Sequence, residues 1–287
     1  MNGILKNVYP AACRNSGRER IPAMSKTQKS LLYFLLITFV FSAAVEAVII
    51  ITKRDFIFSG FLMWMPALAA YLSNRFTNEK QKGGFGFKKC RIRYLLQGVF
   101  IPLVYLGIPY LLLCFFFPAK LAYAPTRRLL VVLAIGIPLS MLTALGEEIG
   151  WRGFMLPRLV SIHGIRRALF ASSLIWYCWH LPILLADVYL PGLPILFKAV
   201  MFLINIGSVG IIIGIITLRS GSVWPAAVLH AAHNAYDQLM FGPYTVGDSK
   251  LYFISESGIL TSVLTVSIAV ILYTFYRREC RRKGIWS

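Results

Sequence analysis

One length recurs along this chain and limits what it can fold into. Apolar runs of about twenty residues lie at about 31–52, 55–74, 95–117, 128–148, 167–186, 193–218, 222–241 and 258–277. About 20 apolar residues in a helix span the hydrocarbon of a bilayer. There, every backbone amide and carbonyl must be paired within the protein, which a helix does by itself. Composition agrees. Of 287 residues 57% are hydrophobic and 14% charged, with mean hydropathy +0.68. A soluble domain would need more polar surface than this. The sequence therefore predicts an all-α, polytopic membrane protein with eight transmembrane helices. Residues 30–278 form its integral domain, 1–29 a disordered basic tail and 279–287 a second basic tail.

The net charge of +19 would suggest nucleic acid in a soluble protein. Here the basic residues fall between the apolar runs, where they carry orientation instead, so no nucleic-acid partner is expected. With the amino terminus inside, 23 Lys and Arg lie in cytoplasmic segments and six in the opposite loops. That asymmetry favours both termini in the cytoplasm and an even number of spans. The first 29 residues are polar and basic, and the run after them is too long for a cleavable signal core. Met24 opens Met-Ser-Lys-Thr-Gln-Lys and is a candidate translation start. The five cysteines are odd in number and form no CxxC pair, which argues against a disulfide framework and a thiolate metal site. Residues 149–166 mix Trp151, Phe154 and Met155 with Arg152, Arg158 and Arg166. They read either as a short amphipathic segment at the cytoplasmic interface or as a connecting loop.

Ionisable groups inside a membrane are costly, roughly 2.5–3.5 kcal/mol each at a helix centre by the lower scales, and are functional candidates by default. The run at 128–148 ends in Glu147-Glu148-Ile149-Gly150-Trp151-Arg152. Glu148 and Arg152 are four apart with the acid first, the favourable order for a pair on one helix face. Such a pair neutralises itself and supports the helix end. Glu147 is rotated about 100° away and has no evident local partner, so it is the candidate general base. Two later runs carry His180, after Trp176-Tyr177-Cys178-Trp179, and His230, His233 and Asn234. His230 and Asn234, also four apart, can face one cavity. Lys198 is the one further charge read inside a span, without an evident role.

These residues resemble the CAAX prenyl protease and bacteriocin-processing (Abi) family of intramembrane proteases. Its three motifs are similar to Glu147-Glu148-Ile149-Gly150-Trp151-Arg152, Trp176-Tyr177-Cys178-Trp179-His180 and His230-Ala231-Ala232-His233-Asn234, in that order, over about 128–240. Trp176 stands where phenylalanine is common. The resemblance implies endopeptidase cleavage of membrane-associated or lipidated peptides. By it, Glu147 and His180 activate a water, His230 and Asn234 stabilise the oxyanion, and Glu148 and Arg152 support the site. It also leaves open a single Zn²⁺ held by Glu147, His180 and His230. No HExxH helix is present and the ligands would come from three segments, so a glutamate-activated water is preferred to the metal.

Two other readings remain at this level. A proton-coupled transporter also uses buried Glu, His and Arg, but no repeated halves are visible. A non-catalytic bacteriocin-immunity protein would share the resemblance without cleavage. A serine site of Gly-x-Ser-Gly type and a pair of intramembrane aspartates are both missing; Asp237 could serve as one, but Asp248 falls in a loop. The expected partners are a peptide or protein substrate and the lipid bilayer, and the expected location is a bacterial plasma membrane.

Overall fold

The computed structural model describes residues 24–53, 55–78, 84–116, 130–244 and 250–286. The expectation for 1–23 lies outside them. The principal helices are α1 (Lys26–Thr52), α2 (Asp55–Thr77), α3 (Ile92–Phe116), α4 (Ile137–Glu148), α5 (Leu156–Leu185), α6 (Ile195–Ser220), α7 (Trp224–Asn234) and α8 (Ile259–Arg282). Described residues form no strand. Five helical segments are long and apolar enough to cross a membrane: α1, α3, a continuous 52-residue stretch from Ala134 to Leu185, α6 and α8. The chain is thus a multi-pass helical membrane protein.

Helix α1 shows how the sequence makes these elements. Ser25 caps it: the Ser25 hydroxyl accepts from the Gln28 amide, and the Gln28 side chain accepts from the Ser25 amide at 2.8 Å. This reciprocal box satisfies donors that a helix start leaves free. The buried face then carries Ser30, Thr38, Ser42 and Glu46, while Val40 and Ile51 are 62% and 81% exposed. Apolar out and polar in is the pattern of a lipid-facing helix. Glu46, 4% exposed, is a buried charge that sequence reading passed over.

The 52-residue stretch differs most from expectation. The segment 149–166 is neither a loop nor an interfacial helix. Helix α4 passes at Glu148 into a π-helical turn, Ile149–Met155, and on into α5. Every residue from Ile149 to Leu156 is buried. Trp151, Phe154 and Met155 pack in the core, and the two arginines that suggested an interface are buried beside them. Arg152 pairs with Glu148, and Arg158 donates to the Phe154 carbonyl and the Asn74 side chain. Of the four basic residues at 149–167, only Arg166 and Arg167 are exposed. The rod breaks instead at Gly164, with φ 79° and ψ 169°, a region open essentially to glycine alone.

Helix α2 runs alongside the rod and fixes its position. A Cβ at Gly150 would sit 2.4 Å from Pro66 Cβ, so only glycine allows this approach. Ser73 pairs with Ser30 between α2 and α1, and Trp179 Nε1 donates to Ser42 Oγ at 2.7 Å between α5 and α1. Lys198 gains a partner: fully buried, it pairs with Asp187 from the α5–α6 connection.

Candidate active site

The π-helical turn sets the position of Glu147 along the rod. With the helix continuing past Met155, Glu147 and Glu148 lie within the rod and not at its end. Both are buried, at 1% and 0% exposure. They face different partners, as their 100° offset requires.

Glu147 is not without a local partner. Its Oε2 accepts from two indoles, Trp151 Nε1 at 3.2 Å and Trp176 Nε1 at 2.7 Å. Trp151 is four residues on, the same spacing as Glu148 and Arg152. The i+4 spacing was the signal in the sequence for Trp151. Two donors on one oxygen hold the carboxylate in a single orientation. Its Oε1 has no hydrogen bond among the described residues.

Glu148 joins the first motif to the third. Its Oε1 accepts from Arg152 Nη1 and from His230 Nδ1, each at 2.8 Å, while its Oε2 is buried without a hydrogen-bond partner. The Arg152 guanidinium lies 4.1 Å from the Trp176 ring centre, a cation–π contact that ties in the second motif. Trp176 stacks edge-on against both His180 and His230, with centroids 5.7 and 5.4 Å away.

His180 Nδ1 lies 2.9 Å from the Trp176 carbonyl. A carbonyl only accepts, so Nδ1 carries the proton and Nε2 of the neutral ring is left as an acceptor. The same logic makes His230 Nδ1 a donor to Glu148. Neither Nε2 atom, nor the Asn234 amide, has a hydrogen bond among the described residues. Glu147, His180, His230 and Asn234 all line one cavity of about 300 Å³. A smaller pocket of about 30 Å³, room enough for a water molecule, touches His180, His230 and Asn234 as well.

The cavity has a second polar wall that the motifs did not announce. Glu256, 4% exposed, comes from the connection before α8 and lines both spaces. Its Oε1 accepts from His233 Nε2 at 3.1 Å and its Oε2 from the Tyr189 hydroxyl. His233 Nδ1 is 2.8 Å from the Tyr105 hydroxyl. Asp237, also in the wall, accepts from Ser255 at 2.9 Å and Tyr110 at 3.4 Å. No spacing in the sequence links Glu256 to these residues; its partners and theirs come from α3, α7 and the α5–α6 connection.

The metal reading fits this arrangement poorly. Glu147, His180 and His230 share the cavity, yet among the described residues no three His, Cys, Asp or Glu side chains gather closely enough to hold an ion.

Residues 128–236 match the family model described as type II CAAX prenyl endopeptidase Rce1-like. This segment is similar to an Rce1-like CAAX endopeptidase domain. The match spans all three motifs and every residue of the first polar wall. It stops short of Asp237 and Glu256, so the second wall is built largely by chain outside the matched Rce1-like segment. No curated protein matches the chain. The matched segment is similar to membrane-embedded proteases of this kind, which suggests proteolysis.

Proposed function

We propose that the protein is an intramembrane endopeptidase in which Glu147 and His180 activate a water for attack on a peptide carbonyl. The observation that carries this is the single cavity shared by Glu147, His180, His230 and Asn234. The water bonds to Glu147 Oε1 and to His180 Nε2, the two acceptors left free on the cavity side. As its oxygen attacks the carbonyl carbon, its proton passes to Glu147. The carbonyl oxygen becomes an oxyanion, met by the Asn234 amide and by His230. To donate through Nε2, His230 must carry protons on both nitrogens, and Glu148 is the counter-charge to that form. The C–N bond then breaks, and the proton held by Glu147 leaves on the amine. No step is assigned to a metal.

The buried setting supports this chemistry. Donors aimed at a developing oxyanion act most strongly where water is excluded, and removal of one typically costs roughly 10²–10³ in turnover. The substrate is a membrane-associated or lipidated peptide or protein, and the setting is the plasma membrane of a bacterial cell. The test is quantitative proteomics of cells bearing the unmodified chain against cells bearing Glu147→Ala. An intact precursor should accumulate with the variant. Identical peptide populations in both would contradict cleavage by this chain.

A further inference from the structure

The two ends of the helical bundle differ in charge, and the cavity lies toward one of them. Side-chain contacts fix which helix ends sit together. Ser30 meets Ser73, Trp179 meets Ser42, Ser222 and Val223 donate to the Lys88 and Gly86 carbonyls just before α3, Arg219 meets Glu279, and Arg166 shares a pocket with Arg277 and Arg281. The start of α1, the end of α2, the start of α3, the Gly164 break, the α6–α7 turn and the end of α8 therefore share one end. Arg75, Lys88, Lys89, Arg91, Arg166 and Arg167 are exposed there, with further exposed arginines at 277–282. At the opposite end, Lys53 is exposed at the α1–α2 junction, whereas Lys198 is buried against Asp187. In the sequence, residue 54 and the segments 117–129 and 245–258 carry only Arg54, Lys120, Arg127, Arg128 and Lys250 as basic residues.

The cavity wall belongs to this second, charge-poor end. Val188, Tyr189 and Leu190 come from the α5–α6 connection, Ser59 from the beginning of α2 and Glu256 from the connection before α8. His180 lies five residues before the end of α5, about 8 Å at 1.5 Å per residue, and sixteen after Gly164, about 24 Å. No residue of the arginine-rich end lines the cavity.

Short loops rich in Lys and Arg stay on the cytoplasmic side. We infer that the catalytic cavity opens on the non-cytoplasmic face of the membrane, and that its substrate is a peptide segment presented there. This rests on the endopeptidase reading and narrows it. The scissile bond belongs to an exported or outward-facing segment, not to a tail that ends in the cytoplasm. Apolar Leu62, Met63, Ile183 and Leu190 in the wall suit a segment still partly in the lipid.

The test uses the full-length chain in sealed membrane vesicles of both orientations and a membrane-impermeant maleimide. Pro191→Cys puts a thiol beside Leu190 at the cavity end, and Arg281→Cys puts one at the basic end; both parent residues are exposed. Labelling is read as the increment over the unmodified chain, since native thiols contribute. Pro191→Cys should label in right-side-out vesicles and Arg281→Cys in inverted ones. The reverse pattern overturns the inference. A second arm adds short fluorogenic apolar peptides outside the vesicles. Cleavage should occur with right-side-out vesicles, and cleavage confined to inverted ones overturns the inference again. Labelling needs no turnover, so a chain that cleaves nothing in either orientation or in detergent would fail the endopeptidase reading while the side remains decided.

Discussion

The two polar walls of the cavity are built in opposite ways. The Glu147–Glu148 wall is made largely within one rod, by partners four residues along: Trp151 for Glu147 and Arg152 for Glu148. The Glu256 wall is made across the bundle, by Tyr105 from α3, His233 from α7 and Tyr189 from the α5–α6 connection. A local wall survives small shifts between helices, because one helix sets its geometry. A distributed wall reports those shifts, because each bond crosses an interface. The first is thus suited to hold reacting groups in place, and the second to join the catalytic helices to the rest of the bundle.

Four single variants and one double variant separate these roles. The largest effect is expected at Glu147. Glu147→Gln keeps an oxygen for the two indoles but removes the base, and turnover should fall by about 10²–10⁴, the usual value of general-base catalysis. Melting temperature should hardly change. Asn234→Ala follows, with a loss of roughly 10²–10³ in kcat if the amide meets the oxyanion; an effect on KM alone would remove it from that role. Glu148→Ala should be felt as stability, because it strands Arg152, 2% exposed, without its carboxylate. Breaking such a buried pair costs about 3–5 kcal/mol, read as a lowered midpoint of thermal unfolding. Glu148→Ala combined with Arg152→Met should recover much of that loss. The smallest effect is expected in the distributed wall, where Tyr189→Phe removes one hydroxyl from Glu256 and should cost roughly 1–3 kcal/mol of stability. A loss of turnover as large as that of Glu147→Gln would show instead that the second wall takes part in the chemistry.

The same contrast explains what could be read from the sequence. The apolar runs marked the helices closely, since twenty-residue periodicity is a property of the chain alone: 167–186 against 156–185 broken at Gly164, and 193–218 against 195–220. The Glu148–Arg152 pair was legible because helical spacing predicts it. The continuation through 149–163 was not. Arg152 and Arg158 look like surface residues until Glu148 and Asn74 are seen beside them. Glu256 and Lys198 had no visible role for a related reason. Their partners, His233 and Asp187, are 23 and 11 residues away and come together only through connections between helices. Glu46 was legible and missed: a carboxylate in an apolar run is a signal by itself.

Chemical rescue of Glu147→Ala tests the central claim most directly. Purified protein in lipid vesicles is assayed on the precursor found by proteomics, with and without formate. Truncation leaves room beside Trp151 and Trp176, whose indole N–H groups can hold a small carboxylate where Glu147 stood. The account predicts no cleavage by Glu147→Ala alone and partial recovery as formate is added. Cleavage at the unmodified rate by Glu147→Ala without formate would contradict it.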